Sequence, residues 1–240
     1  MGDADLLRGV RRRRELEGIL TRSASSFRLV VFDLDGTLID SRRDLAESAN
    51  LVLEHYGCRR QTEEAIGRMV GDGAATLVAR AFEARGIERP PDALQRFLAI
   101  YDRHLLDYTR PYPGIPAVLD GLGLRAKLAV LTNKPIASTR RILAGLDLAR
   151  HFHEDAVIGG DGPFPRKPNP AGLRYLADAA CVSLESALFV GDSVTDWRTA
   201  RAASMTVCLA RYGFGFDGFP IEELGPEDRT IGAPADILDL

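Results

Sequence analysis

At 240 residues, 45% of them hydrophobic and 27% charged, the chain has material for one α/β domain with a smaller one inserted, and it is too apolar for disorder over most of its length. A formal net charge of -3 offers no basic face to a nucleic acid, and no apolar stretch approaches the roughly 18 residues of a membrane span. Cys58, Cys181 and Cys208 are scattered, odd in number and without disulfide or metal-ligand spacing, so they read as buried thiols of a protein in a reducing cytoplasm.

Residues 1–26 stand apart: Arg11 to Arg14 form a basic run and Ser23 to Ser26 resemble a linker. With no apolar core of a secretory signal, this stretch reads as a solvated extension, with docking on a partner as the alternative. Leu29-Val30-Val31-Phe32 then reads as a strand buried on both faces, as in a parallel sheet, and runs into Asp33-Leu34-Asp35-Gly36-Thr37. Ligands of such sheets bind at the carboxyl ends of the strands, which puts both acids in the crevice. The glycine lets the chain turn and aim Asp33 and Asp35 separately.

From 42 to 111 the pattern becomes helical over Asp44 to Tyr56, Gly73 to Arg85 and Asp92 to Tyr108, with no β-rich run between. Pro111-Tyr112-Pro113-Gly114 marks the return to alternating β and α segments. Residues 27–41 and 112–240 are therefore read as one doubly wound parallel α/β sheet, Rossmann-like, into which an all-helical unit is inserted over 42–111. Further strands are expected at Leu128 to Leu131, Ala156 to Ile158, Ala187 to Val190 and Thr206 to Leu209, joined by mostly helical crossovers. The loop Tyr212-Gly213-Phe214-Gly215-Phe216 reads as packing, His151 and His153 as solvated loop histidines, and Trp197 as core.

Several strand ends deliver polar residues to one side of the sheet. Thr132 and Asn133 bring a hydroxyl and an amide suited to phosphate oxygens, just before a helix expected over Ile136 to Gly145 whose positive end favours an anion. Gly191-Asp192-Ser193-Val194-Thr195-Asp196 adds Asp192 at a strand end and Asp196 one helical turn on. Four acids at one spot, ionised and unpaired, would each carry several kcal/mol of desolvation cost, which calls for a cation, and oxygen ligands suit Mg²⁺. Lys167, before the helix near Ala171 to Ala179, is expected to face these acids. Only Lys127, Lys134 and Lys167 are lysines among 31 Lys and Arg, and two of them lie in these loops, where a compact ammonium fits between carboxylate and phosphate.

Together, DLDGT at 33–37, Thr132-Asn133, Lys167-Pro168 and GDSVTD at 191–196 resemble the haloacid dehalogenase superfamily, and the helical insert resembles the cap of its first subclass. The resemblance implies a phosphatase in which Asp33 is the nucleophile, forming an aspartyl-phosphate, and Asp35 the general acid and base. It also implies Mg²⁺ held by the Asp33 carboxylate, the Asp35 backbone carbonyl and Asp192, with Asp196 outside them or holding Lys167. Thr132, Asn133 or nearby amides, and Lys167 would cradle the phosphoryl group. Dehalogenases and phosphonatases lack an acid at the Asp35 position. Val70 to Leu77, with Gly71, Asp72 and Gly73, is similar to the cap of phosphoglycolate phosphatases, as are Gly159-Gly160-Asp161 and Tyr212-Gly213. A β-phosphoglucomutase-like enzyme would carry an arginine where Ala74 stands, a role left to Arg68 or Arg80, while Asp72 has helix capping as its plain alternative. The expected substrate is a small phosphorylated metabolite, 2-phosphoglycolate first and sugar phosphates next, acted on by a monomer or homodimer. A phosphate-binding regulator without turnover is the reading from a different class.

Overall fold

The computed structural model describes residues 27–240, so the extension read at 1–26 lies outside the described residues. The strands in chain order are β1 (Leu29–Phe32), β2 (Ile39–Asp40), β3 (Arg110–Pro111), β4 (Lys127–Leu131), β5 (Val157–Ile158), β6 (Ala187–Gly191), β7 (Thr206–Ala210) and β8 (Arg229–Ile231). The helices are α1 (Arg42–His55), α2 (Glu63–Gly67), α3 (Ala74–Glu83), α4 (Ala93–Arg103), α5 (Ile115–Gly123), α6 (Ile136–Gly145), α7 (Ala171–Ala179) and α8 (Val194–Ala203). Six strands form one parallel sheet in the order β5-β4-β1-β6-β7-β8. The chain leaves β1 toward β4 on one side and later returns to β6 on the other, so the order reverses at β1. That switch point is where an open α/β sheet presents its ligand crevice.

The short apolar runs are continuous because both faces of the sheet are covered. Val30, Phe32, Val130, Leu188 and Val190 face a core shared with Ile115, Leu119 and Ile142 of α5 and α6, and this core continues into the helical insert through Leu45, Leu53, Leu77 and Phe97. Leu29, Val31, Ala129, Phe189 and Val207 face the other way, against Leu173 and Leu176 of α7 and Trp197 of α8. Fully buried side chains such as Phe32 and Phe189 each contribute about 1.5–3 kcal/mol.

Departures from the sequence reading have local causes. The helix expected to run to Tyr108 stops at Arg103, because the buried Asp44 carboxylate of α1 accepts from the Tyr108 N–H at 3.0 Å and from the Thr109 N–H and hydroxyl at 2.8 and 2.7 Å. Those bonds draw the chain into the extended return, where β3 pairs antiparallel with β2. Both of these strands are two residues long and α2 is five, below what periodicity resolves. Ala156 falls in a 3₁₀ turn, Glu154–Ala156, and β8 is short and polar enough to escape notice. Cys58 and Cys208 are buried, but Cys181 is exposed, in a left-handed turn after α7 at φ 54°. No helix among the described residues is long and apolar enough to cross a membrane.

Ser204 ends α8 in the left-handed region at φ 60°, a conformation that strains a residue carrying Cβ. Its side chain is exposed. Ser204→Gly is expected to stabilise the fold by about 1 kcal/mol, read as a rise of about 2–4 °C in Tm.

Candidate active site

Asp33 follows β1 directly, with its N–H bonded to the Val190 carbonyl of the neighbouring strand, so the carboxylate projects from the centre of the sheet. Gly36 turns the chain at φ 88°, and a Cβ there would sit 1.9 Å from Asp192 Oδ2, so only glycine admits the aspartate arriving from β6. Asp192 is held on the other side by the Gly215 N–H at 2.7 Å, and the Thr37 hydroxyl lies 3.4 Å from its second oxygen. The loop at 212–216 thus packs, with Phe214 buried and Phe216 stacked on Phe219, and also supplies a backbone donor that sequence reading did not assign it.

Lys167 is buried between two of the acids. Its Nζ lies 2.6 Å from Asp196 Oδ1 and 2.7 Å from Asp33 Oδ1, the latter an ion pair too poorly angled to satisfy that oxygen. Burial pulls the ammonium down, but Asp196 and Asp33 together hold it above its usual value. Burial raises Asp33 to about 7 against the pull of Lys167, and raises Asp192 well above the ordinary carboxylate range, with Asp196 and Asp33 adding to the effect. Asp196 is fully committed: Oδ2 accepts from the Ser193 hydroxyl at 2.7 Å and from the N–H groups of Ser193 and Asp192 at 3.0 and 3.2 Å, closing a capping box on α8.

Asn133 is occupied as well. Its amide donates to the Lys167 carbonyl at 3.0 Å and to the Gly71 carbonyl at 2.9 Å, while its oxygen accepts from the Lys167 N–H at 2.9 Å. The side chain expected to meet phosphate instead ties the Lys167 loop to the cap. Thr132 Oγ1 accepts from the Lys134 N–H at 3.2 Å, and both Thr132 and Asn133 line the cavity described below.

Asp35 points away from Asp33's partners. It accepts from the buried Ser41 hydroxyl at 2.6 Å, and Lys134 Nζ stands 3.0 Å from both of its oxygens. The same ammonium donates to the Tyr101 hydroxyl of α4 at 2.7 Å, joining core to cap. Sequence reading places Lys134 in a site loop as an ammonium suited to lie between carboxylate and phosphate, without assigning it to Asp35 or to the cap. Tyr101 continues the apolar stripe of Ala93 and Phe97 and so reads as core.

The cap lies closed over these groups and encloses a cavity of about 390 Å³. Asp33, Asp35, Thr132 and Lys134 meet there with Leu45, Val70, Leu77, Phe97 and Leu98, and Gly71 and Gly73 line its edge at φ 115° and 90°. Asp72 is absent from that wall and does not cap α3, whose N-cap is Gly73. Its carboxylate pairs with Arg80 at 2.6 Å and accepts from the Thr195 hydroxyl of the core at 2.7 Å. Arg68 is also outside, exposed and paired with Asp217 at 3.1 Å. Both arginines available for a second phosphate are spent elsewhere.

Among the described residues, Asp33, Asp192 and Asp196 form a buried cluster whose oxygens lie within 4.8 Å of one another. The donors are all oxygen, Asp33 Oδ1 has no directed hydrogen bond, and the two lysines offset two of the four carboxylates at the strand ends. The remaining two charges match one hard divalent cation, so the residues fit such an ion. His151 and His153 form no comparable pair: His153 is solvated, as expected, while the His151 ring is buried with Nε2 unpartnered, and its desolvation lowers its pKa.

Residues 30–210 match the model of the haloacid dehalogenase-like hydrolase family. The chain is 43% identical over 205 residues to a phosphoglycolate phosphatase of Rhodospirillum rubrum, covering 82% of this chain and 83% of that one. It is 37% identical over 207 residues to phosphoglycolate phosphatase 1 of Pseudomonas aeruginosa, at 83% and 74% coverage. The crystal structure of a predicted phosphoglycolate phosphatase from Haemophilus somnus superposes with a TM-score of 0.80 at 32% identity, covering 89% of this chain and 97% of that one.

Proposed function

The chain belongs to the haloacid dehalogenase-like hydrolases, and from that membership we propose a Mg²⁺-dependent phosphatase that hydrolyses 2-phosphoglycolate through an aspartyl-phosphate. The observation that carries this reading is the separation of two acids from one turn: Asp33 beside Lys167, Asp35 beside Lys134, both on the floor of one small cavity. A nucleophile and a proton carrier need that division of labour.

Asp33 attacks phosphorus as the bond to the leaving oxygen breaks, and Asp35 hands that oxygen its proton. Water then attacks the aspartyl-phosphate with Asp35 taking its proton, which releases phosphate and restores Asp33. Lys167, Thr132 and the Asn133 loop hold the phosphoryl oxygens, where positioning and charge neutralisation do most of the catalysis. The Asp33 carboxylate, the Asp35 backbone carbonyl and Asp192 would hold Mg²⁺, with Asp196 fixing Lys167 behind them. The ion supplies charge neutralisation, so that an anionic carboxylate can approach an anionic phosphoryl group. The closed cap excludes water from the first transfer.

A cavity of about 390 Å³ is at the low end for small-molecule sites, which run roughly 300–1,000 Å³, and its mostly apolar cap wall suits a small monoester better than a polyhydroxylated sugar. Arg68 and Arg80, the arginines considered for a mutase's second phosphate, are both paired and neither lines the cavity. Phosphate release across a metabolite panel, with Mg²⁺ and with a chelator, tests the reading. The expected result is the highest kcat/KM for 2-phosphoglycolate, abolished by chelation. A hexose phosphate that wins overturns the substrate, turnover that survives chelation overturns the metal, and no turnover even of an aryl phosphate favours a binding protein.

A further inference from the structure

Lys134 is more heavily built than its neighbours in the loop require. Its side chain is buried, it lines the cavity, and it is the sole cationic residue lining that cavity among the described residues. Burial draws the ammonium down, but Asp35 and Tyr101 hold it above its ordinary value, so it is charged throughout the working range. Tyr101, from the cap, accepts from Lys134, and its own proton goes to no acceptor among the described residues. Burial raises the phenol to about 12, so that proton stays in place. Ser138, in the first turn of the ten-residue α6, also lines the cavity; the first N–H of that helix, on Ile136, is taken by Asp161. Among the described residues, Asp102 is the one acid lining the cavity besides Asp33 and Asp35, and it is paired with Arg141.

The reacting phosphoryl group belongs at Asp33 and Lys167. Lys134 and Tyr101 gather on Asp35 rather than on Asp33 and line the cavity, which Lys167 does not, so they offer an ammonium and a free hydroxyl proton to the rest of a short monoester. A buried cation is costly unless a charge meets it. Asp35 meets it here, with both oxygens, and an acid that must turn to the leaving oxygen cannot keep both of them there.

We infer that Lys134 and Tyr101 form the subsite for the second anionic group of the substrate, so that the enzyme selects monoesters carrying a carboxylate a few bonds from the phosphate. This rests on the phosphatase reading above and names the residues that would set its specificity. Tyr101 comes from the cap, so an anion bound at this pair also favours closure. Lys134 is a substrate-binding residue in this account, and its contact with Asp35 is the resting arrangement that the anion shares or displaces.

The test compares 2-phosphoglycolate with ethyl phosphate, the same ester with methyl in place of carboxylate and hence an alkyl leaving group of the same type. Wild-type enzyme is expected to prefer 2-phosphoglycolate. In Lys134→Met that preference in kcat/KM is expected to shrink by about 10²-fold, the scale of a lost charge contact. In Tyr101→Phe, which removes only a hydroxyl, it is expected to shrink about tenfold through KM. A wild-type enzyme without the preference defeats the substrate reading. A preference that survives in Lys134→Met, with both substrates slowed alike, defeats the inference and leaves Lys134 as a positioning residue for Asp35. If Lys134→Met does not fold, Tyr101→Phe decides by the same ratio.

Discussion

Asp33→Asn is expected to abolish turnover while leaving the protein folded. The amide keeps the shape of the carboxylate but is far too weak a nucleophile to form the acyl phosphate, and loss of a covalent nucleophile costs at least about 10⁴-fold in kcat. Stability is expected to hold because the wild-type carboxylate is itself disfavoured where it stands: burial raises it to about 7 even with Lys167 beside it. An isosteric neutral group gives up the attraction to that ammonium and also the desolvation cost. Lys167 remains neutralised by Asp196 at 2.6 Å. The check pairs phosphate release with thermal melting in the same buffer. Lost activity with Tm unchanged to within a few degrees places Asp33 in the chemistry, whereas substantial residual turnover means that another group attacks phosphorus. Should both activity and Tm collapse, Asp33 is structural first.

Much of this site can be read along the chain because strand ends announce themselves. An apolar run that stops at Asp33 and another that stops at Asp192 identify the sheet edge with little further information, and the parallel order follows from the helices between. The positions of Asp196 and Lys167 follow from helix geometry and loop context. What cannot be read is partnership between side chains far apart in sequence. Asn133 reads as a free amide, yet both of its N–H groups and its oxygen are engaged by Lys167 and Gly71. Asp72 has the spacing of a helix cap, yet Thr195 takes it from across the domain boundary. The helix ending at Arg103 is cut short by Asp44, about sixty residues earlier, which no local periodicity records.

The same distinction holds for the cap. Its residues are chosen by what the core presents once the cap is closed: Gly71 by Asn133, Tyr101 by Lys134, Asp72 by Thr195. Each contact joins a cap residue to one of the loops at the strand ends that carry the chemistry. The contacts that hold the cap and those that arrange the reacting groups therefore share residues in this molecule.

Lys167→Met should show how much of that arrangement is electrostatic. The substitution preserves length and apolar packing but leaves Asp33 and Asp196 buried without a cation, and breaking a buried pair by removing one partner costs about 3–5 kcal/mol. The dependence on pH has a definite sign. Lys167 is held above its ordinary value, so its contribution is intact below the usual lysine range and is lost only in strong alkali. Asp33 is raised from 3.8 to about 7, so across that window the folded state keeps a proton that the unfolded chain has released, and stability falls as pH rises. Removing Lys167 takes away the attraction that opposes this rise, so the variant holds Asp33 protonated to a higher pH than the wild type does. Urea denaturation in the presence of a chelator is expected to show a small deficit at pH 5 and the full one at pH 8. A deficit equal at both values would mean that the lysine stabilises by packing alone. A deficit confined to pH 8 and relieved by added Mg²⁺ would show that the divalent ion and Lys167 neutralise the same carboxylates.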